Sequence, residues 1–197
     1  MAHYTLLIDL QRCIGCYSCN VACKQENGVP PGQNWNEVFT VGPVGEFPNV
    51  QAYFLPRPCM HCDNPACVAV CPTGASYKRP DGPVLVNHDI CIGCQYCTWA
   101  CPYGARVFNT ERMVTEKCTM CAHLIDAGQK PQCVAHCMGQ ARFFGDIDDP
   151  NSDISKYLAA NKDRATHLLE EQGTKPSVIY LKPKVGMLSG TALRRSG

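Results

Sequence analysis

The sequence of 197 residues has no apolar run approaching the ~20 residues that a membrane-spanning helix needs, so the chain is expected to be soluble by itself. Charge of one sign is missing too. Its 18 Lys and Arg against 17 Asp and Glu give a formal net charge of +1, with no basic patch that would call for nucleic acid. There is no G-x-G-x-x-G after a strand and no G-x-x-x-x-G-K-[ST], so no nucleotide site is expected. No nucleophile–base pair stands out, and no small-molecule substrate of the chain's own is expected. Residues 1–9 lack a basic segment followed by a long apolar one, so no secretory signal is expected there.

What the chain has instead is cysteine. Sixteen fall in four groups of four, with none left over: Cys13, Cys16, Cys19 and Cys23; Cys59, Cys62, Cys67 and Cys71; Cys91, Cys94, Cys97 and Cys101; Cys118, Cys121, Cys133 and Cys137. A secreted disulfide scaffold would explain the number, but cysteines spaced two residues apart are poorly placed to bridge one another. Zinc sites would explain the paired C-x2-C. They do not call for a third cysteine two residues on, a fourth at helical spacing, and then proline.

That fuller pattern is C-x2-C-x2-C-x3-C-P, complete at Cys91–Pro102, and it is iron–sulfur spacing. Three cysteines on a tight loop wrap one cubane and aim backbone N–H groups at its sulfurs. The fourth, about one helical turn on, faces away and serves a second cluster. One motif therefore asks for a partner motif. Spacing alone allows the first to pair with the second and the third with the fourth, or the pairs to cross. Each oxidised cubane with its thiolates carries roughly −2, so the loaded protein is expected to be acidic despite its formal charge.

The motifs are of two kinds that alternate. The first and third share a Cys-Ile-Gly-Cys opening, and the second and fourth share Pro-x-Cys-Val-Ala-x-Cys starting at Pro65 and Pro131, an internal repeat. Three motifs share an exit through Ala75, Ala105 and Ala141, each followed by a predicted strand. Residues 4–9, 50–55 and 178–181 also read as strands. Residues 25–49, rich in Pro and Gly, suggest an extended surface excursion. Ser152 is a predicted cap for a helix with Ile154, Tyr157 and Leu158 on one face. Residues 164–172 fit helix and strand equally, and 187–197 read as a loose tail or an arm on a partner. The region beyond Gly145 is expected to pack over the cysteine-bearing part without chemistry of its own.

Around the cysteines, His61 and His123 are expected to serve as sulfur hydrogen-bond donors or packing, since every motif already has four thiols. Lys24, Lys78 and Lys117 are either electrostatic tuners or solvated lysines. Trp99 is expected to fill the core.

The four groups, the Cys-Ile-Gly-Cys openings, Cys-Pro-Thr-Gly-Ala at 71–75, Gly145-Asp146-Ile147-Asp148-Asp149-Pro150 and Gly173-Thr174-Lys175-Pro176 together resemble the four-cluster electron-transfer subunits of molybdopterin oxidoreductases, closest to those of polysulfide, thiosulfate and dimethyl sulfoxide reductases. The resemblance spans residues 4–183. It implies an α+β fold of two ferredoxin-like modules, each with two [4Fe–4S] clusters and crossed motif pairing. One module comprises 1–24 and 109–150, the other 50–108; 25–49 is a surface loop and 151–197 a short helix-and-strand extension.

The implied ligand sets are Cys13, Cys16, Cys19 with Cys137; Cys118, Cys121, Cys133 with Cys23; Cys59, Cys62, Cys67 with Cys101; and Cys91, Cys94, Cys97 with Cys71. Cys94 stands where some relatives carry Trp and hold a three-iron cluster, so four cubanes are implied. Met138 replaces a frequent Pro, which loosens a turn without removing a ligand. The implied partners are a molybdopterin subunit bearing Mo or W, near the first motif, and an integral membrane quinone-interacting subunit, near the third. The implied location is peripheral to the membrane, on the extracytoplasmic face through export with the catalytic partner. The alternative is a cytoplasmic formate dehydrogenase, hydrogenase complex or hydroxytransferase.

Overall fold

The computed structural model describes residues 2–183; the predicted tail, 187–197, lies outside them. Ten short strands and six helices follow in order. Strand β1 (Tyr4–Asp9) leads through the first motif into α1 (Ser18–Asn27), then come β2 (Glu37–Val44) and β3 (Gln51–Arg57). The second motif carries α2 (Ala66–Ala69) and exits into β4 (Ser76–Lys78), which β5 (Val84–Val86) pairs. The third carries α3 (Tyr96–Trp99) and exits into β6 (Arg106–Asn109), paired by β7 (Val114–Lys117). The fourth carries α4 (Ala122–Asp126) and α5 (Gln132–Ala135) and exits into β8 (Arg142–Asp146). Helix α6 (Asp153–Ala160), β9 (Ala165–Thr166) and β10 (Ile179–Leu181) are the last elements among the described residues.

One four-stranded sheet, ordered β8-β1-β10-β9, anchors the rest. Strand β1 runs antiparallel to β8 (Leu6 opposite Phe144) and parallel to β10 (Leu7 opposite Ile179). Every residue from Thr5 to Asp9 is buried, as expected of a central strand covered on both faces. Leu6 and Ile8 enter a core with Met60, Met120, Leu168, Val178 and Tyr180, while Leu7 and Leu181 point the other way, to Ile154 of α6. Ser152 caps α6 as expected, its hydroxyl accepting from the Ser155 N–H at 3.2 Å. Phe143 and Tyr157 stack with centroids 4.0 Å apart.

Two expectations need correction. Residues 25–49 are not only a loop: Glu37–Val44 is a strand, because pairing with β3 satisfies its backbone through the register Glu37–Arg57 to Val41–Tyr53 despite the Gly and Pro that follow. The C-terminal region does not simply lie over the cysteine-bearing part either. It supplies β10, an inner strand of the main sheet, and its Arg164 donates to the buried Asp9 carboxylate at 2.6 Å. The ambiguous 164–172 stretch resolves into β9 between two single-turn 3-10 helices.

Candidate iron–sulfur site

All four motifs begin with the same local geometry. The residue two after the first cysteine is left-handed in each: Gly15 (φ 67°), His61 (45°), Gly93 (67°) and Met120 (57°). That turn aims its N–H back at the first sulfur, at 3.5 Å from His61 to Cys59 and 3.4 Å from Met120 to Cys118. At Gly93 a Cβ would lie 2.5 Å from the Met113 carbonyl oxygen, so glycine is required there. Tyr17 and Gln95, also left-handed, then turn the chain into α1 and α3. The third cysteine of each motif rides on the helix that follows.

The exits repeat as well. Ala141 N–H donates to Cys137 Sγ at 3.2 Å and Ser76 N–H to Cys71 Sγ at 3.4 Å. Ala75 and Ala141 are each 1% exposed, which leaves no room for a larger side chain where the strand passes the sulfur. N–H donors of this kind favour the thiolate that a cluster needs.

The structure gathers the cysteines across motifs. Cys13, Cys16 and Cys19 share one cavity with Cys137. Cys59, Cys62 and Cys67 share another with Cys101, Tyr103, Arg106 and Thr174. Cys23 stands in electrostatic reach of Cys133 and Cys121, and Asn27 Nδ2 lies 3.8 Å from both Cys23 and Cys121 sulfurs. Cys118 is likewise in electrostatic reach of Cys23 and Cys133. Of the other four, Cys97 lies on α3, Cys91 and Cys94 lead into it, and Cys71 follows α2, which packs against α3.

Burial pushes the Cys23 and Cys62 thiols up to about 12 and Cys118 well above its usual value, with neighbouring cysteines adding to the rise. Only a strongly positive group can hold such sulfurs as thiolates at neutral pH, and the irons of a cluster are one. The exposed Cys16 is held below the ordinary thiol range by the Ser18 side chain and backbone, and Cys71 is lowered as well, its slight burial outweighed by hydrogen bonds from the Ser76 N–H and Thr73.

Two buried cations complete the setting. Arg106 and Arg142 are each 4% exposed. Among the described residues no oxygen accepts a hydrogen bond from any nitrogen of the Arg106 guanidinium or from Arg142 Nη1. A buried unpaired guanidinium is costly; beside thiolates carrying a net-anionic cluster it is satisfied. The residues present therefore fit iron–sulfur clusters. Among the described residues no three of His, Cys, Asp and Glu are grouped to hold a single metal ion.

Several predicted residues sit elsewhere than expected. Trp99 is 75% exposed, tilted against Tyr96 rather than filling the core, because the single turn of α3 is too short to bury its outer face. His123 faces Glu26 at 2.7 Å and touches no sulfur. Lys24 ties the following loop through the Gln33 carbonyl at 2.6 Å. Lys78 donates to the carbonyls of His61, Cys62 and Gly82, and the buried Lys117 to those of Val84 and Cys118. These lysines are braces of the motif loops. His61 is fully buried; Nδ1 accepts from the Val84 N–H at 2.9 Å, and burial with Lys117 close by holds it neutral.

Residues that sequence reasoning did not single out touch sulfur too. Asn36 Nδ2 donates to Cys19 Sγ at 3.2 Å while its Oδ1 accepts from Arg142 at 2.7 Å. The Thr174 hydroxyl pairs with Tyr103 Oη at 2.7 Å over the cavity of Cys62, and its hydrogen bond favours the Cys62 thiolate. The repeated Ala-Arg at 105–106 and 141–142 was the available signal for the two arginines.

Comparison with known proteins agrees with this chemistry. Residues 50–147 and residues 12–75 each match a 4Fe-4S dicluster domain family. The chain is 48% identical to a tetrathionate reductase subunit of Salmonella typhimurium, over 90% of this chain and 72% of the relative. It is 44% identical to a sulfite dehydrogenase subunit of Allochromatium vinosum (92% and 83%) and 40% identical to a selenate reductase subunit of Mesobacillus selenatarsenatis (90% and 71%).

Proposed function

Because the chain belongs to the 4Fe-4S dicluster family of iron–sulfur subunits, with four [4Fe–4S] clusters as its cofactors, we propose that it relays single electrons between a molybdopterin catalytic subunit and a membrane quinone-interacting subunit of a respiratory oxidoreductase. The observation that carries this reading is the gathering of cysteines from separate motifs around shared cavities. When bound, each cubane takes up and gives up one electron at a time. The chain holds the clusters rigidly, keeps water away and sets their relative potentials.

The ligand sets follow the crossed pattern: Cys13, Cys16, Cys19 with Cys137, and Cys118, Cys121, Cys133 with Cys23, in one module; Cys59, Cys62, Cys67 with Cys101, and Cys91, Cys94, Cys97 with Cys71, in the other. The hairpin β6–β7 joins the modules across residue 109. The chain is not itself the catalyst in this reading.

Two apolar exposures suit the two partners. Ile14 (61%), Val21 (65%) and Met138 (73%) surround the exposed Cys16, a face for the molybdenum- or tungsten-bearing subunit. Ile92 (66%), Tyr96 (53%) and Trp99 (75%) surround the third motif, a face for the membrane subunit. Among the described residues no helix is long and apolar enough to cross a membrane. In this reading the partners hold the chain at the extracytoplasmic side. A dehydrogenase and reductases both stand among the relatives, so the direction of flow is set by the partners' potentials.

The test is a gentle-detergent pull-down of the tagged chain from its native host, assayed for Mo or W and for co-purifying chains. A metal-bearing large subunit with an apolar membrane subunit supports the proposal. A soluble partner without a membrane subunit overturns its quinone half and points to a cytoplasmic formate dehydrogenase, hydrogenase complex or hydroxytransferase.

A further inference from the structure

Each proposed module contains one buried arginine that the electron-relay reading leaves without a role. Both follow the alanine of an exit turn: Ala105-Arg106 after the third motif and Ala141-Arg142 after the fourth. The equivalent position after the second motif is Ser76, and after the first motif the chain continues as α1. The repeat thus supplies one guanidinium per pair of motifs rather than one per motif.

Their surroundings differ from those of an ordinary buried arginine. Asp9 takes the charge of Arg164. The charges that bear most on Arg106 are the sulfurs of Cys67, Cys97 and Cys59; on Arg142 they are those of Cys133 and Cys19. Cys59 and Cys67 line one cavity with Arg106, whereas Cys97 belongs to the neighbouring set. Arg142 lines the cavity of Cys13, Cys16, Cys19 and Cys137, and it also bears on Cys133 and Cys23 of the other set in its module. Each cation therefore lines the cavity of one ligand set and acts electrostatically on a sulfur of the other. Asn36 extends the contact, linking Arg142 to Cys19.

We propose that Arg106 and Arg142 are charge bridges, each shared by the two clusters of one module and raising both of their reduction potentials together. The inference rests on the crossed ligand sets proposed above. A fixed positive charge in a low-dielectric interior favours the reduced, more negative cluster. Because one cation serves two clusters, it lifts the pair without opening a gap between them, so an electron crosses the module on near-level ground. A brace acting only through packing would not set two potentials in step.

Four midpoint potentials, measured by EPR-monitored redox titration of the loaded complex, test this without assigning any signal beforehand. Arg106→Gln is expected to lower two of the four reduction equilibria tenfold or more, about 59 mV for a one-electron couple. Arg142→Gln is expected to lower the other two. Arg106→Lys and Arg142→Lys, which keep the charge, should restore most of each shift. A shift confined to one cluster, the same two clusters moving in both variants, or no shift with full iron content overturns the proposal. If a Gln variant sheds iron instead, loss of about eight of about sixteen atoms that Lys prevents supports a cation shared by two clusters, and loss of about four overturns it. A wild-type chain holding fewer than about sixteen irons refutes the four-cluster reading itself, and that result is seen before any variant is made.

Discussion

Replacing Arg164 with Met should cost this fold about 3 kcal/mol, the lower end of the range for stranding a buried charge. Asp9 is 1% exposed and ends the central strand four residues before Cys13. Its carboxylate accepts from Arg164 Nη2 at 2.6 Å and Nη1 at 3.3 Å, from Tyr157 Oη at 2.8 Å and from the Gln11 N–H at 3.0 Å. Arg164 also donates to the Lys182 carbonyl at 2.7 Å and to Asn161 Oδ1 at 3.1 Å, so it fastens the C-terminal segment to the approach to the first motif. Without the guanidinium the carboxylate keeps two neutral donors, which is why the lower end applies. Asp9→Asn in the Arg164→Met background removes the stranded charge and should recover about 2 kcal/mol relative to additivity. Anaerobic urea unfolding of the loaded protein, followed by circular dichroism and by cluster absorbance, measures both. A single-variant cost below about 1 kcal/mol, or strict additivity, would refute the reasoning.

Cys94→Ser should remove up to one cluster, about four of about sixteen irons; unchanged iron and an unchanged EPR spectrum would remove Cys94 from the ligand set. Thr174→Val takes the hydroxyl from Cys62 and leaves Tyr103 Oη, on a residue 3% exposed, without its partner, for a loss of about 1–3 kcal/mol. One cluster potential should fall with it, and four unmoved potentials would argue against contact with the cluster. His88 is held below the usual histidine range by burial and by Arg112 beside it. Its contribution is therefore present above pH about 6.5 and lost as pH falls through its lowered folded value; His88→Gln should flatten the stability–pH curve there, and an unaltered curve would contradict this. Stripping the iron should unfold or loosen the chain, because Arg106 and Arg142 are then buried without an anionic neighbour; an apo-protein with native circular dichroism would count against that coupling.

Much of this molecule is legible in its sequence, and the reasons are local. The spacing in Cys13–Cys23 and Cys91–Cys101 dictates a loop and a helical turn, and both form. The strands after Ala75, Ala105 and Ala141, the leading strand β1 and the Ser152 cap also follow from near neighbours in sequence. What escapes depends on distant partners. Glu37–Val44 is a strand only because Gln51–Arg57 lies beside it. Val84–Val86 is too short for its alternation to register, and Val178–Leu181 reads as a strand without revealing that it enters the main sheet beside β1. The two arginines are visible as letters, but whether such a side chain reaches water or threads between thiols is decided by the tertiary fold.

That dependence explains how a chain so rich in thiols can be folded around its clusters rather than merely loaded with them. Cys118 and Cys133 are buried as deeply as aliphatic core residues, and the cluster of Cys23, Val29, Trp35, Cys59 and Cys118 mixes thiols with apolar side chains. Replacing clusters by thiols would leave small side chains where bulky groups belong and would strand two guanidiniums. The same residues that tune the electrons therefore also decide whether the native packing exists. Loss of the charge at Arg106 or Arg142 should for this reason register in potential or in cluster retention, whereas substitutions at the exposed Ile14, Met138 or Trp99 should affect partner capture and leave both untouched.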